Sequence, residues 1–488
     1  MALTAPATTL DIDEIAFSDL FLLSPEPSGT ADADDDGRRR RLLATVWAAL
    51  GRGGTGLLAV AGVPRAAALR RRLLPLARRL ALMDQASRAH LLKKHGVGSD
   101  VPLKKPDRSV SSFAQLLRHD SGKKFHSLKS LSDAAGSINT RTGCPEVKPA
   151  GADGFGEHTC DDDIENLGEL FKELGLCMME IGILIARACD VVIGGNQLEQ
   201  SITDFGSAKA RLIHYHSELD NRIIKEKSAN RRNFFVNNAA AAVTPVSDHI
   251  DMSCHQRPGP GGYGSRMTRQ DGQAVVMSGE EKEGRDIAVQ GQSSNISLVN
   301  LWQEWHYDYG LLTVLTAPLF LRSALGQECP VSEECSLPDG HTHLQLFNKR
   351  RIFSVRCSQE SFIVQIGEAA DILSGGKLRS TLHAVSRPLG LPNISRETFV
   401  VFVQPSWDKT LPSSGYSSAD EDDSSDHLES TSRSDGSAGS CSEHMLMQDI
   451  LMKIPPLSSR LKEGMTFAEF SRQTTKQYYG GGGIQQNS

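Results

Sequence analysis

Trp305-His306-Tyr307-Asp308-Tyr309-Gly310-Leu311-Leu312-Thr313 is the stretch from which the fold of this 488-residue chain is read. A histidine and an aspartate stand two positions apart in it, and a second histidine, His383, follows 77 positions on. Short β-branched and apolar runs surround the three residues: Ile296–Leu301, Leu311–Leu315, His343–Phe347, Ile352–Val355, Phe362–Ile366, Thr381–Val385 and Phe399–Val403. Turn residues separate many of them, which suits an antiparallel barrel or jelly roll. The expectation is an α+β protein with a jelly-roll (double-stranded β-helix) core.

On a strand, residues i and i+2 face the same side, so the pattern predicts that His306 and Asp308 project together and Tyr307 points away. Two imidazoles and one carboxylate on one face of an ion leave coordination positions open, as in non-haem Fe(II) oxygenases. On the tripeptide alone, a packed histidine beside a surface aspartate explains the residues at least as well.

The context changes that balance. The pattern is His306-x-Asp308-x-Gly310-x-x-Thr313, followed by Phe362-Ile363-Val364-Gln365-Ile366-Gly367-Glu368. Next come Ser374-Gly375-Gly376-Lys377-Leu378-Arg379-Ser380-Thr381-Leu382-His383-Ala384-Val385 and Ser395-Arg396-Glu397-Thr398. This ordered set resembles the plant-type Fe(II)/2-oxoglutarate-dependent oxygenases, the isopenicillin N synthase-like group. Their core reads HxDxGxxT, a strand ending near NIGD, then SNGRFKSxxHRV, then RxS.

The resemblance implies that His306, Asp308 and His383 are iron ligands. It also implies that Arg396 and Thr398, at the RxS positions, bind the distal carboxylate of 2-oxoglutarate. A guanidinium offers a fixed fork of donors to a carboxylate, and a hydroxyl two residues along the same strand faces the same way. The implied activity is that of a dioxygenase using Fe(II), 2-oxoglutarate and O2, with ascorbate as an accessory reductant. It would oxidise, in the hydroxylating sense, a small organic substrate and release succinate and CO2.

Gly56-Leu57-Leu58-Ala59-Val60-Ala61-Gly62-Val63-Pro64 stands where the family carries a GFFQVVNHGVP-like strand, and it predicts a buried strand followed by a helix with Pro64 near its first turn. Three departures stand out. No Tyr lies between 264 and 306, so the Asn-x-Tyr pair usually found shortly before HxD, the second carboxylate anchor, is missing. Thr398 replaces the serine of RxS. The His306–His383 interval is long, with the surplus assigned to a polar loop over 321–343. His341-x-His343 at its end reads as a loop entering a strand rather than as a metal pair.

Outward from this core, residues 1–200 are read as a helix-rich N-terminal region and 201–408 as the jelly-roll core. Within the first, Ile15–Leu20 suggests a short strand, 38–50 a helix with a basic start, 65–83 a helix kinked at Pro75, and 100–160 loop with short helices. Ile164, Leu167, Phe171, Leu174, Met178, Ile181 and Ile185 recur at helical steps behind Asp161–Asp163, which favour a helix N-terminus. Residues 409–445 are an acidic, Ser-rich stretch too polar to offset ordering entropy and are expected to be disordered. In 446–488, Thr466-Phe467-Ala468-Glu469 is a capping-box pattern opening a C-terminal helix that packs on the core.

Composition narrows the class. The net charge of −6 and pI near 6.2 give no basic excess for nucleic acid. The nine cysteines are odd in number and contain no CxxC, which favours free thiols over a disulfide scaffold or zinc module. Residues 1–36 carry no Lys or Arg but several acids, unlike a signal or transit peptide. The apolar run closest to a membrane span, Leu174–Ala186, is interrupted by Glu180. A cytoplasmic monomer is expected, with the nucleus as the alternative through the arginine run Arg38–Arg41. The rival reading is an inactive jelly-roll scaffold. A zinc hydrolase fits less well, because no general base stands beside the three ligands.

Overall fold

In a computed structural model, two sheets face each other and a helical layer covers the back of the larger one. The structure describes residues 4–6, 8–24, 33–100, 109–118, 160–204, 206–227, 295–297, 300–323, 332–335, 341–349, 351–413 and 448–479. The chain divides into one unit of Met1–Lys227 with Ser294–Ser488 and a second of Ser228–Ser293, and every described residue lies in the first. The acidic Ser-rich segment lies outside the described residues from 414 onward.

The larger sheet runs in the order Glu14–Ala16, Leu57–Ala61, Phe362–Ile366, Leu312–Thr316, Ile394–Gln404, Ser207–Tyr215, Val110–Arg118 and Gly98–Asp100. Leu319–Ser323 also pairs with Ile394–Gln404 and with Ser332–Glu334. The smaller sheet has the order Thr8–Asp11, Arg351–Arg356, His341–Asn348, Leu382–Ser386 and Leu301–His306.

Alternation along the central strands explains why they read as near-continuous apolar runs. Phe399, Val401 and Val403 pack on the helical side, with Leu58, Val60, Leu312, Val314, Val364 and Ile366. Val400 turns to the other side and joins Leu57, Ile213, Tyr215, Leu315 and Ile363. There it meets Trp302, Leu344, Leu346, Val355 and Val385 of the smaller sheet. Strands covered on both faces need apolar residues at both parities.

The helix Leu167–Ile193 carries the amphipathic stripe to the back of the sheet. The Phe171 ring meets that of Phe399 edge-on at 4.8 Å. Gly182 brings the helix close, since a Cβ there would lie 3.0 Å from Val403 Cγ2. The stripe is interrupted at Asn166, with Cys160–Glu165 forming a separate turn of helix.

Several expectations are corrected. Val110–Arg118, within the stretch read as loop, is a nine-residue strand paired along its length with Ser207–Tyr215. Its run of Ser, Ala and Gln hid the apolar alternation that marks the other strands. The expected strand Ile15–Leu20 is a strand at Glu14–Ala16 followed by a 3-10 helix at Phe17–Leu23. By contrast, the helix expected over 65–83 is present as Ala66–Leu82, with Pro64 two residues before its start and Pro75 inside it. Phe362–Ile366 is followed by a short helix, Glu368–Leu373, for which the sequence reading had no element.

The helix Phe467–Tyr479 begins with a closed capping box. Thr466 N–H donates to Glu469 Oε2 at 2.9 Å, and Glu469 N–H to Thr466 Oγ1 at 3.3 Å. Phe467 and Phe470 are fully buried in the main core. Among the described residues, no helix is long and apolar enough to cross a membrane.

Candidate metal centre

His306 and His383 are direct partners across the antiparallel pair of Leu301–His306 and Leu382–Ser386, and their rings stand 4.3 Å apart. Asp308 does not lie on that strand, which ends at His306. The carboxylate lies beside the histidines in the irregular segment 307–311 that follows the strand, and backbone bonds from 367–369 hold that segment. Glu368 N–H donates to Asp308 O at 2.8 Å, Ala369 N–H to Gly310 O at 3.0 Å, and Gly367 N–H to Leu311 O at 2.9 Å. This stitching demands glycine: a Cβ on Gly367 would lie 2.2 Å from Gly310 O, and one on Gly310 would lie 2.8 Å from Val403 O. The i, i+2 argument therefore gave the right juxtaposition for the wrong local reason.

The donor set converges. One ligand atom from each of His306, Asp308 and His383 lies within 4.8 Å of the others. Nε2 of His306 is 3.8 Å from Asp308 Oδ1, and Nε2 of His383 is 3.9 Å from Asp308 Oδ2. In both rings Nδ1 is held by a backbone carbonyl, Glu304 O at 2.7 Å and Thr381 O at 3.0 Å. Nδ1 therefore carries the proton and Nε2 presents its lone pair toward the carboxylate, the tautomer that metal ligation needs.

Thr313 Oγ1 donates to Asp308 Oδ2 at 2.6 Å, which orients the carboxylate. Burial, followed by the neighbouring His383, pulls the His306 pKa down to about 4 against the pull of Asp308, so the ring is neutral at pH 7. Two ligands at right angles around such an ion lie roughly 3 Å apart. A small contraction of this set would seat one, and the residues fit Fe(II).

Arg396 and Thr398 lie on the inter-sheet face of Ile394–Gln404, the same face as Val400. Arg396 is buried, donates from Nε to Thr342 O at 3.0 Å, and sits 5.1 Å from the centre of the Tyr215 ring. Thr398 Oγ1 donates to Thr316 O at 3.3 Å. Glu397, between them, faces the helical side, where its carboxylate meets His214 Nδ1 at 2.9 Å.

Sequence reasoning missed Tyr215, the direct strand partner of Arg396. Tyr215 stands 91 positions before His306 rather than shortly before it. The signal was the run Arg211-Leu212-Ile213-His214-Tyr215, with isoleucine where the asparagine was sought. His341 and His343, read as the end of a loop, already belong to the strand His341–Asn348. His343 Nδ1 lies 3.3 Å from Ser386 Oγ, its ring packs on Phe320, and burial with Arg396 nearby pushes its pKa down to about 3. Among the described residues, His306, Asp308 and His383 form the one metal-type cluster.

Part of this sheet pair matches a known family. Residues 335–405 match the 2OG-Fe(II) oxygenase superfamily. The matched stretch contains His383, Arg396 and Thr398. No curated protein matches the chain. Among solved structures, a full-length Neurospora crassa protein in complex with alpha-KG is 14% identical, with 92% of this chain and 99% of that one covered at a TM-score of 0.42. A rice dioxygenase for auxin oxidation is 12% identical, covering 82% and 85%, at 0.39. A Caulobacter crescentus protein described as a putative 2OG-Fe(II) oxygenase is 13% identical, covering 90% and 98%, at 0.40.

Proposed function

We propose that the chain is an Fe(II)- and 2-oxoglutarate-dependent dioxygenase of the plant-type, isopenicillin N synthase-like group, acting on a small organic substrate. The two facing sheets are then its double-stranded β-helix. The observation that carries this reading is the convergence of His306, Asp308 and His383 with both Nδ1 atoms already committed to carbonyls. When bound, iron would activate O2, the oxidant, and 2-oxoglutarate would supply two of the four electrons by its oxidative decarboxylation to succinate and CO2.

The chain's own residues supply geometry. Thr313 fixes the carboxylate of Asp308, and Arg396, with Thr398 and Tyr215 beside it, offers a buried cationic end for the distal carboxylate of the cosubstrate. The apolar lining between the sheets, including Ile213, Leu315 and Val400, excludes water from the space between these ends. A scaffold protein would need neither a complete donor set nor a buried arginine at the far end of the same face. Purified protein given Fe(II), 2-oxoglutarate and O2 should release succinate, and His306→Ala or Asp308→Ala should abolish that release. Turnover at the wild-type rate in either variant would refute the ligand assignment.

A further inference from the structure

Two side chains on the inter-sheet face hold polar atoms that are sealed from solvent without a partner among the described residues. Gln365 is fully buried, and neither its Oε1 nor its Nε2 makes a hydrogen bond. Arg211 has a buried Nε with no acceptor, and its guanidinium lies 5.6 Å from the centre of the Phe402 ring. Leaving such groups unmade costs on the order of 1–3 kcal/mol each. They persist where a ligand or ordered water completes them.

Both belong to the metal end of the interior. Gln365 is the strand partner of Thr313, whose hydroxyl holds Asp308, and Thr313 is in turn the partner of Phe402. Arg211 is the partner of Val400, one step along the same face. The parity is fixed by their neighbours: Ile363, Ile213 and Tyr215 face the interior, while Val364, Leu212 and Ala210 face the helices. Phe402 packs partly buried against the inter-sheet cluster beside them.

Arg396 pairs with Tyr215, four residues beyond Arg211, which places the two arginine backbones on the order of 13 Å apart along the strands. In the dioxygenase reading the distal carboxylate of the cosubstrate takes Arg396, and Arg211 stands four residues away along the same face. Among the described residues, this face thus presents the guanidiniums of both Arg396 and Arg211, and the cosubstrate of that reading takes the first.

We propose that Arg211, Phe402 and Gln365 form the substrate wall of the metal pocket, and that the substrate is a small organic acid. Its carboxylate pairs with the Arg211 fork, its body lies against Phe402, and Gln365 hydrogen-bonds a polar group near the carbon presented to the metal. The assignment of this acid as substrate rests on the dioxygenase reading.

The test is calorimetry on the full chain loaded with Ni(II), with and without saturating 2-oxoglutarate. The probes are phenylacetate, hydrocinnamate, cyclohexanecarboxylate and decanoate, each against its primary amide. At least one acid should bind tenfold or more tighter than its amide. Arg211→Gln should erase that difference, Arg211→Lys should keep part of it, and 2-oxoglutarate affinity should change less than twofold in both. Arg211→Met, which retains the apolar stem over Phe402, serves if Arg211→Gln does not fold. The proposal is overturned if no acid outbinds its amide, if the preference survives removal of the guanidinium, or if 2-oxoglutarate binding falls in parallel. An Arg211-dependent preference in protein that does not bind 2-oxoglutarate would support the acid site and sink the dioxygenase reading instead.

Discussion

Replacing Arg460 by methionine should loosen the metal centre from a distance. Arg460 is 1% exposed and grips Glu368 with two bonds, Nη1 to Oε2 at 2.7 Å and Nη2 to Oε1 at 2.6 Å. Its Nε donates to Pro455 O, its Nη1 also donates to Thr474 Oγ1, and its guanidinium lies 5.5 Å from the Tyr478 ring and 5.8 Å from Phe470. Glu368 is the residue whose N–H holds Asp308 O, and the Tyr478 hydroxyl accepts from Tyr307 N–H at 3.4 Å. The C-terminal helices thus clasp the segment that carries Asp308.

Removing one partner of a buried ion pair costs about 3–5 kcal/mol, because a charge is left buried and uncompensated. Arg460→Met should therefore lower unfolding stability by that amount in urea titrations. It should also weaken Co(II) binding about tenfold, the scale seen when the groups supporting metal ligands are lost. The double variant Arg460→Met with Glu368→Leu removes the orphan charge, so its loss should be smaller than that of Arg460→Met alone. A single variant within about 1 kcal/mol of wild type, with unchanged Co(II) affinity, would show that the clasp does not hold the site.

Thr313→Val removes the bond to Asp308 Oδ2 in a nearly isosteric way and should raise the Fe(II) dissociation constant roughly 10–100-fold, with little change in thermal unfolding. Phe171→Ala removes a fully buried ring from the contact with Phe399 and should cost about 3–5 kcal/mol in chemical denaturation. Glu180, on the helix Leu167–Ile193, has an unpartnered Oε2 and a pKa raised by burial to about 7. A raised carboxyl pKa means that the folded state holds the proton more tightly. The contribution is therefore full below about 4.5 and is lost as pH rises through about 7. Glu180→Gln should gain stability relative to wild type at pH 8 but not at pH 4.5, and equal differences at both would contradict this.

The central strands and the candidate residues His306, Asp308 and His383 stood out because both show in local pattern. Apolar runs covered on two faces stand out from turn residues, and His306, Asp308 and His383 are chemically conspicuous at their spacing. What stayed hidden depends on pairing between distant segments. Val110–Arg118 is a strand only because Ser207–Tyr215 lies beside it. Tyr215 reaches Arg396 through a register that no local window contains. The segment at Asp308 is held by backbone bonds from 367–369, and the Glu368 carboxylate there is gripped by Arg460, none of which is visible in the tripeptide. Glu368–Leu373 was obscured for the same reason, since its N-terminal amides bond the turn from Asp308 to Leu311 rather than announcing themselves by a capping side chain.

Anaerobic titration of the protein with Fe(II) and then 2-oxoglutarate, followed in the visible range, tests the central claim most directly. A charge-transfer band of iron with a bound 2-oxo acid should grow to one equivalent, and it should be absent in His383→Ala and need far more 2-oxoglutarate in Arg396→Met. A well-folded wild-type protein that shows no band at saturating iron and 2-oxoglutarate would contradict the account.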